Sequence, residues 1–545
     1  MGKKIAWLAW SLVASGLIAP ALALDNSVGE EGINARRLHE APYNLIGRKI
    51  AIGQVEIGRP GKFGFDKAVS WNPAIALAGV FYRDTPATSN THVDNHAAMV
   101  ATVIVSKDKK LPGVAPGVRL YSSAIGSLKR GGQPEECLSA QHVAQQNGGD
   151  VRAINFSFGE SLQRDPREDA KLDGNALLTQ CIDWSARVHD VLYVVAGNQG
   201  SGGIPIPTDN YNGITTAYTT KQQGRFAKVD FANLSALPQG IGRRLIKREI
   251  NVGARRAISL AAPGSKISVY NLDGKIVQVS GTSFAAPHIT ASVALLQEFG
   301  DRQLKRNQPN WSLDSRRHEV MKVVLLNSAD KIQDSGDDLL LGMNRTTLSK
   351  NNRTWLESDA YQNSKIPLDI EMGAGHLNVF RAYEQFSAGQ WSPRTSVSMI
   401  GWDYRAVKAD SAQDYVLGLP LQQGSFVSIT LAWDRLVELR DLNQNKQYDL
   451  GESFNDRGLN NLDIYLMPVD QSDGSRSICA SVSEVDSIEH IFCRVPQTGR
   501  YKIRVQSRQS VNQENQSYAL AWWTAPVPVW GNEEESVRDE SDLLQ

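Results

Sequence analysis

Cysteine is scarce: there are four in 545 residues, so a disulfide-dense scaffold is ruled out. A surplus of either charge is missing too, because 58 Lys+Arg meet 58 Asp+Glu for a formal net charge of zero. Phosphate recognition draws on a basic surplus, which argues against a nucleic-acid partner. Past the first two dozen residues there is no long apolar run, and the rest of the chain reads as soluble. What is present is ordinary for a globular protein: 41% hydrophobic and 21% charged residues. At roughly 100–200 residues per domain, two to four domains are expected, with ample core material. The composition points to a sizeable enzyme with an accessory domain.

Residues 1–23 read as an export signal. Lys3 and Lys4 give the positive start, an uncharged run follows, and Ala21-Leu22-Ala23 forms an A-x-A cleavage site. The competing reading is an uncleaved anchor, since Ile5 to Leu24 carries no charge and is about long enough to span a bilayer. Pro20 and the small residues before Asp25 favour cleavage. The mature chain is then expected in the periplasm or outside the cell, with no membrane attachment. The cysteines agree with export: Cys137 and Cys181 lie in the first half, Cys479 and Cys493 in the last quarter. Pairing within each region would give two bridges, although four cysteines allow three connectivities.

From residue 46 to 385 short apolar runs alternate with helical periodicity, the pattern of a parallel α/β sheet flanked by helices. Lys49 to Val55, Val151 to Phe156 and Val191 to Ala196 read as strands. Leu177 to Arg187, His288 to Phe299 and His318 to Leu326 read as helices, the second closed by Gly300 as a C-cap. From 390 to 525 the period changes to two: Val427, Ile429, Leu431 and Trp433 share one face, and the runs at 501–505 and 518–522 behave alike. That stretch is expected to be an antiparallel β-sandwich or jelly roll. A short segment, 24–45, precedes the first domain. An acidic tail, 526–545, follows the second and is expected to be disordered.

Gly281-Thr282-Ser283-Phe284-Ala285-Ala286-Pro287 follows a strand and opens an apolar helix. A serine at a helix N-terminus has free N–H groups and a favourable dipole end beside it, and both help an attacking oxygen and the oxyanion it creates. Taken alone such a serine more commonly caps the helix. Asn198, in Ala196-Gly197-Asn198-Gln199-Gly200, projects from a strand end where its amide could donate to that oxyanion; the plain alternative is a turn asparagine. His96 begins a helix and is followed by Ala97 and Ala98, which leave room for a substrate beside the imidazole.

Together these strings resemble the subtilisin-like serine proteases (subtilases) over residues 46 to 385. The resemblance rests on G-T-S-x-A-x-P at Ser283, A-G-N-x-G at Asn198, H-x-x-x-V-A at His96 and Gly113-Val114-Ala115-Pro116-Gly117. It implies a secreted endopeptidase acting on protein or peptide substrates, without a catalytic cofactor. Ser283 is then the nucleophile, His96 the base, and Asn198 with the Ser283 N–H the oxyanion hole. Ser157-Phe158-Gly159 would be the extended segment that pairs with bound peptide. The resemblance leaves the oligomeric state open.

The chain departs from the family pattern in three places. The orienting aspartate, usually in D-[ST]-G, is absent, and Glu56 in Gln54-Val55-Glu56-Ile57-Gly58 keeps the strand and the glycine offset. Glu56 is therefore the expected orienting residue, and Asp94 is too close to His96 to serve. His92 imitates part of the histidine string but fails its register, and His92 with His96 lacks the glutamate of a zinc helix. Sedolisins are set aside because they lack the His96 and Asn198 equivalents. Segment 24–45 is too short for the folded prodomain that subtilases commonly carry. The alternative that these departures keep open is an inactive binding or secretion-partner protein on the same fold.

Two further features complete the reading. Asp441, Asn443, Asn445, Gln447, Asp449 and Glu452 have the spacing of an EF-hand loop, with Gln447 contributing its backbone, so structural calcium is an expectation. Lys446 stands where such loops have glycine. Arg243, Arg244, Lys247, Arg248, Arg255 and Arg256 form a basic cluster, expected to be a solvated face.

Overall fold

The structure, a computed structural model, describes residues 24–67, 74–126, 132–198, 205–229 and 254–528. The export signal, Arg243, Arg244, Lys247, Arg248 and the tail from 529 lie outside the described residues. Among the described residues no helix is long and apolar enough to cross a membrane.

The first domain is built on a ten-stranded sheet. Its strands are β1 (Ala51–Glu56), β2 (Leu77–Tyr82), β3 (Thr85–Pro86), β4 (Arg119–Ala124), β5 (Val151–Phe156) and β6 (Leu192–Ala196). They continue with β7 (Ile214–Gln222), β8 (Arg225–Lys228) and β9 (Ile258–Pro263); β10 (Ile267–Tyr270) and β11 (Ile276–Val279) form a separate hairpin, and β12 (Thr347–Leu348) closes the sheet's far edge. The central order β6-β5-β1-β4-β2 is parallel throughout, whereas β3 runs antiparallel to β2 and β8 antiparallel to β7, with β12 parallel to β8.

Both faces of this sheet are covered, which is why β1, β5 and β6 read as continuous buried runs. The helices, numbered here as used, are α1 (Leu24–Val28), α2 (Arg36–His39), α3 (Asn95–Val105) and α4 (Gln133–Ala144). After them come α5 (Leu177–His189), α6 (Thr282–Lys305), α7 (His318–Asn327) and α8 (Val379–Ser387). Alternation along β1 sorts its neighbours. Ile52 joins the core with α3 and α6, while Ala51 and Val55 join the core with α4 and α5.

One expectation changes at the helix after Ser283. Helix α6 does not stop at Gly300 but runs on to Lys305. A Cβ at Gly300 would lie 3.2 Å from the Phe386 ring, so that glycine permits close packing against α8 and is not a cap. Segment 24–45 packs into the first domain: Val28, Ile33, Ala35, Leu38 and Leu45 are at most 1% exposed in the same core as α6. Glu298 of α6 fastens it by accepting from the backbone N–H groups of Ile46, Gly47 and Arg48 at 2.7–2.9 Å.

The second domain is a sandwich of two four-stranded antiparallel sheets. Its strands are β13 (Ile400–Lys408), β14 (Ala412–Val416), β15 (Phe426–Trp433), β16 (Val437–Arg440) and β17 (Ser453–Asp456). The remainder are β18 (Asn461–Pro468), β19 (Cys479–Ser481), β20 (Ile488–Arg494), β21 (Tyr501–Gln509) and β22 (Asn515–Thr524). The sheets β13-β22-β15-β20 and β14-β21-β18-β19 enclose Val427, Ile429, Leu431 and Trp433. The opposite face of β15 is buried as well, because Ser428 and Thr430 donate to Asn327 of α7. The β16–β17 hairpin reaches onto α4 and α5, where Val437, Tyr448 and Phe454 pack around Trp184 and the Cys137–Cys181 disulfide. A second disulfide joins Cys479 and Cys493 within the sandwich. Arg255 lies 3.9 Å over the Tyr211 ring, and Arg256 pairs with Asp359 and donates its N–H to Asp486.

Candidate active site

Glu56 ends β1 on the same face as Gln54, and that face looks at α3. Gln54 Nε2 donates to Ala97 O at 2.9 Å, and two residues later Glu56 Oε2 meets His96 Nδ1 at 3.1 Å. Asp94 caps α3 by accepting from Ala97 N–H at 2.9 Å, which fixes the helix turn that carries His96. So the aspartate nearest in sequence to His96 is a cap, while the glutamate 40 residues away is its ring partner. His92 lies outside α3 with φ of 54° and stacks on Tyr82, so it shares no helical face with His96.

Burial pushes the Glu56 carboxyl above its ordinary 4.5, and the pull of His96 offsets only part of this. Burial alone would lower the imidazole; the carboxylate beside it outweighs that and holds His96 above 6.5. Glu56 is 1% exposed, whereas the His96 side chain is 38% exposed. The imidazole thus has one end on a buried anion and the other toward the open side of the site.

Ser283 occupies the first turn of α6. Gly281 before it has φ of +152° and ψ of 165°, a conformation reserved for glycine, and this turns the chain from β11 into the helix. Pro287 has no N–H, so the Ser283 carbonyl loses its intrahelical partner. Ser157 Oγ takes that place at 2.9 Å and in turn accepts from Asn155. The Ser283 hydroxyl donates to Ser157 O at 3.1 Å. Thr282 Oγ1 donates to Gly197 O at 2.8 Å, tying the start of α6 to the loop that presents Asn198. Phe284, next to Ser283, has its ring centroid 5.6 Å from that of His96. The starts of α3 and α6 are therefore neighbours, with Ser157 bonded to Ser283 and Gly197, the residue before Asn198, bonded to Thr282.

Asn198 is 4% exposed, and Gln199 and Gly200 of its string lie outside the described residues. Ser157, Phe158 and Gly159 follow directly on β5; Phe158 is buried and stacks on Phe156. Local pattern does not announce Thr282 and Gln54 as positioning residues, nor the hold of Ser157 on the Ser283 carbonyl, although the proline at 287 is a signal that a carbonyl four residues earlier needs another donor.

Residues 74–343 match the sequence profile of the subtilase family. This region belongs to the subtilase family. The match begins beyond Glu56, so the residue that departs from the family string lies outside it. The subtilase region is 28% identical over 211 residues to subtilisin DY of Bacillus licheniformis, covering 38% of this chain and 65% of that one. It is 23% identical over 269 residues to a thermostable alkaline protease of Halalkalibacterium halodurans, covering 49% and 61%. Against subtilisin Savinase of Lederbergia lenta it is 25% identical over 252 residues, covering 45% and 76%. This chain thus spans under two thirds of the first two relatives. A solved structure of the prenylagaramide maturation protease PagA covers 63% of this chain and 94% of its own, at 20% identity and a TM-score of 0.39.

Outside the subtilase core, the 441–452 loop joins β16 to β17 and is tied by its own donors. Asp441 accepts from the N–H groups of Asn445 and Lys446, and Glu452 accepts from Leu442 and Asp449. Asn443 and Asn445 both turn their amide ends to Asp449 Oδ2 at 2.7 Å, and Gln447 N–H donates to Asn445.

Proposed function

We propose that this chain is an exported serine endopeptidase that hydrolyses peptide bonds through an acyl-enzyme. One observation carries the reading: an imidazole held by a buried carboxylate at 3.1 Å lies 5.6 Å, ring to ring, from Phe284, the residue after a serine that opens a helix whose first residue is tied to Gly197, beside Asn198 in sequence. In the resting state the Ser283 hydroxyl rests on Ser157 O. Rotation about its χ1 frees it to attack a scissile carbonyl while the far nitrogen of His96 removes its proton. Glu56 holds the near N–H, fixes the tautomer and stabilises the imidazolium. The imidazolium then protonates the leaving amine. A water that loses its proton to the same nitrogen releases the acyl group and restores Ser283. Asn198 and the Ser283 N–H stabilise the oxyanion in both halves. Peptide backbone lies along 157–159.

Export is supported by the two disulfides, which persist in oxidising compartments. A fluorophosphonate probe tests the chemistry: the full chain is expected to label covalently and Ser283→Ala to lose the label. A folded wild type that neither labels nor cleaves any peptide would instead be a binding protein on this fold.

The 441–452 loop is read as a structural calcium site. Amide ends are assigned by their hydrogen bonds, and turning those of Asn443 and Asn445 would set two carbonyl oxygens beside Asp449. Lys446, with φ of 64°, already adopts the left-handed turn that such loops give to glycine. Asp441, Asn443, Asn445, the Gln447 backbone, Asp449 and Glu452 would hold the ion, which would act only in stiffening the hairpin. Calorimetric titration with Ca²⁺ should give binding heat that Asp441→Asn loses; no heat in the wild type refutes the site.

A further inference from the structure

Two side chains of the same length leave one face of β1 and end on one turn of α3. Gln54 and Glu56 are two residues apart, so strand alternation sets them side by side. Gln54 Nε2 donates to Ala97 O at 2.9 Å, and Glu56 Oε2 meets Nδ1 of His96, the residue before Ala97, at 3.1 Å. Glutamine and glutamate share one carbon skeleton. The gap between β1 and the start of α3 is therefore one such side chain wide at both rungs.

A glutamine is a costly way to fill that gap. Gln54 is fully buried, and among the described residues its Oε1 meets no donor. A buried amide with one end unpaired is less favourable than an apolar side chain of the same volume. What the amide adds is a defined length, ended by a directional bond. Turning the amide over would set Oε1 against the Ala97 carbonyl, so the bond itself fixes which end points at the helix.

The remaining ties on this turn leave that length to Gln54. Arg59 N–H donates to His92 O and Asp94 N–H donates to Arg59 O, both at 2.8 Å, which pins the chain ahead of α3 to the continuation of β1. Gly58 permits the approach, since a Cβ there would lie 2.3 Å from Asp94 Cβ. Asp94 then caps the helix through Ala97 N–H. This pin fixes where the first turn begins but not how far it stands from the strand. Gln54 supplies the second point, and Glu56 lies between the two ties in sequence.

We propose that Gln54 is a positioning residue, a spacer matched in length to Glu56 that makes a glutamate, and not an aspartate, the acid that fits His96. This deepens the peptidase reading and rests on it. With Gln54 holding the turn off, an aspartate at 56 would end about 1.5 Å short, one carbon–carbon bond. The side-chain bond of Gln54 is to Ala97 O, so it acts on the reaction only through the placement of His96.

The test measures kcat and KM of the full chain on a peptide substrate, with circular dichroism of each variant to establish folding. Gln54→Met keeps the length and removes the bond; kcat should fall on the order of ten-fold while KM stays within about two-fold. Glu56→Asp should lower kcat on the order of 10²-fold, the effect of a misplacement of about 1 Å. Shortening both rungs restores the match. Gln54→Asn combined with Glu56→Asp should therefore exceed Glu56→Asp alone by about five-fold or more, although Gln54→Asn by itself slows the enzyme.

A Glu56→Asp protein as fast as wild type overturns the spacer and needs no change at Gln54. A folded double variant no faster than Glu56→Asp, or wild-type kcat in Gln54→Met, overturns it too. Each of these leaves an active wild type and the peptidase reading intact. A wild type that neither cleaves peptide nor takes a fluorophosphonate label is the failure of that reading, and the spacer falls with it.

Discussion

In the proposed triad a glutamate in place of the family's aspartate changes the reach of the orienting residue but not its task. Glu56 stands at the last position of β1, so its longer side chain spans to Nδ1 of His96 from within the strand. Its burial matters as much as its reach. Because the carboxylate is out of water, its field raises the imidazole despite the burial that would otherwise depress it. The base must be neutral to accept the Ser283 proton, so activity should rise with pH through a midpoint above 6.5. In Glu56→Gln the larger raising influences disappear, leaving burial opposed only by the field of Asp94. The midpoint should then fall, with kcat lower by on the order of 10²–10⁴. A pH–rate profile of both proteins reads this, and an unmoved midpoint would deny Glu56 its role.

The elements show which parts of this were legible in the sequence. Strand ends and helix starts carry their chemistry in contiguous strings, so Ser283, Asn198 and His96 could be placed from local pattern, and the Glu56 position from strand and glycine spacing. What local pattern misses is contact made by tertiary packing. Gly300 looks like a helix stop, yet α6 passes through it because Phe386 fills the space its missing side chain leaves. Segment 24–45 is too short to suggest a domain, and its apolar residues have meaning only against α6. Ser428 and Thr430 look like the wet face of β15 until α7 covers them.

At the scale of the whole molecule, the sandwich is fastened to the subtilase region by buried polar groups. His318 of α7 is the clearest of them, with Nδ1 at 2.9 Å from Asp190 at the end of α5 and Nε2 at 3.2 Å from Asp434 of the sandwich. Glu319 and Arg317 from α7 and Tyr404 from β13 surround it, and Lys322 lies one turn further on. Three acids face Arg317, Lys322 and one imidazole; burial and the neighbouring acids push Glu319 up to about 7, and burial brings Lys322 down to about 8. Burial works against the imidazole proton, but Glu319, Asp434 and Asp190 outweigh it and hold His318 well above its ordinary 6.5. A base raised on folding stabilises fully below its unfolded pKa and loses that contribution as pH rises through the folded one. Stability should therefore decline on the alkaline side of 6.5. His318→Gln should flatten that decline and cost about 3–5 kcal/mol at neutral pH, because it leaves buried carboxylates unpaired. Denaturant titrations at several pH values measure both; an equal alkaline decline in the variant would place the proton elsewhere.

The central claim is that His96 makes the Ser283 hydroxyl a nucleophile. Labelling rates with a fluorophosphonate, mapped by mass spectrometry, address it most directly. The wild type should carry the adduct on the peptide containing Ser283, and His96→Ala should label slower by on the order of 10²-fold or more. An adduct on another serine, or equal rates in the two proteins, would contradict it.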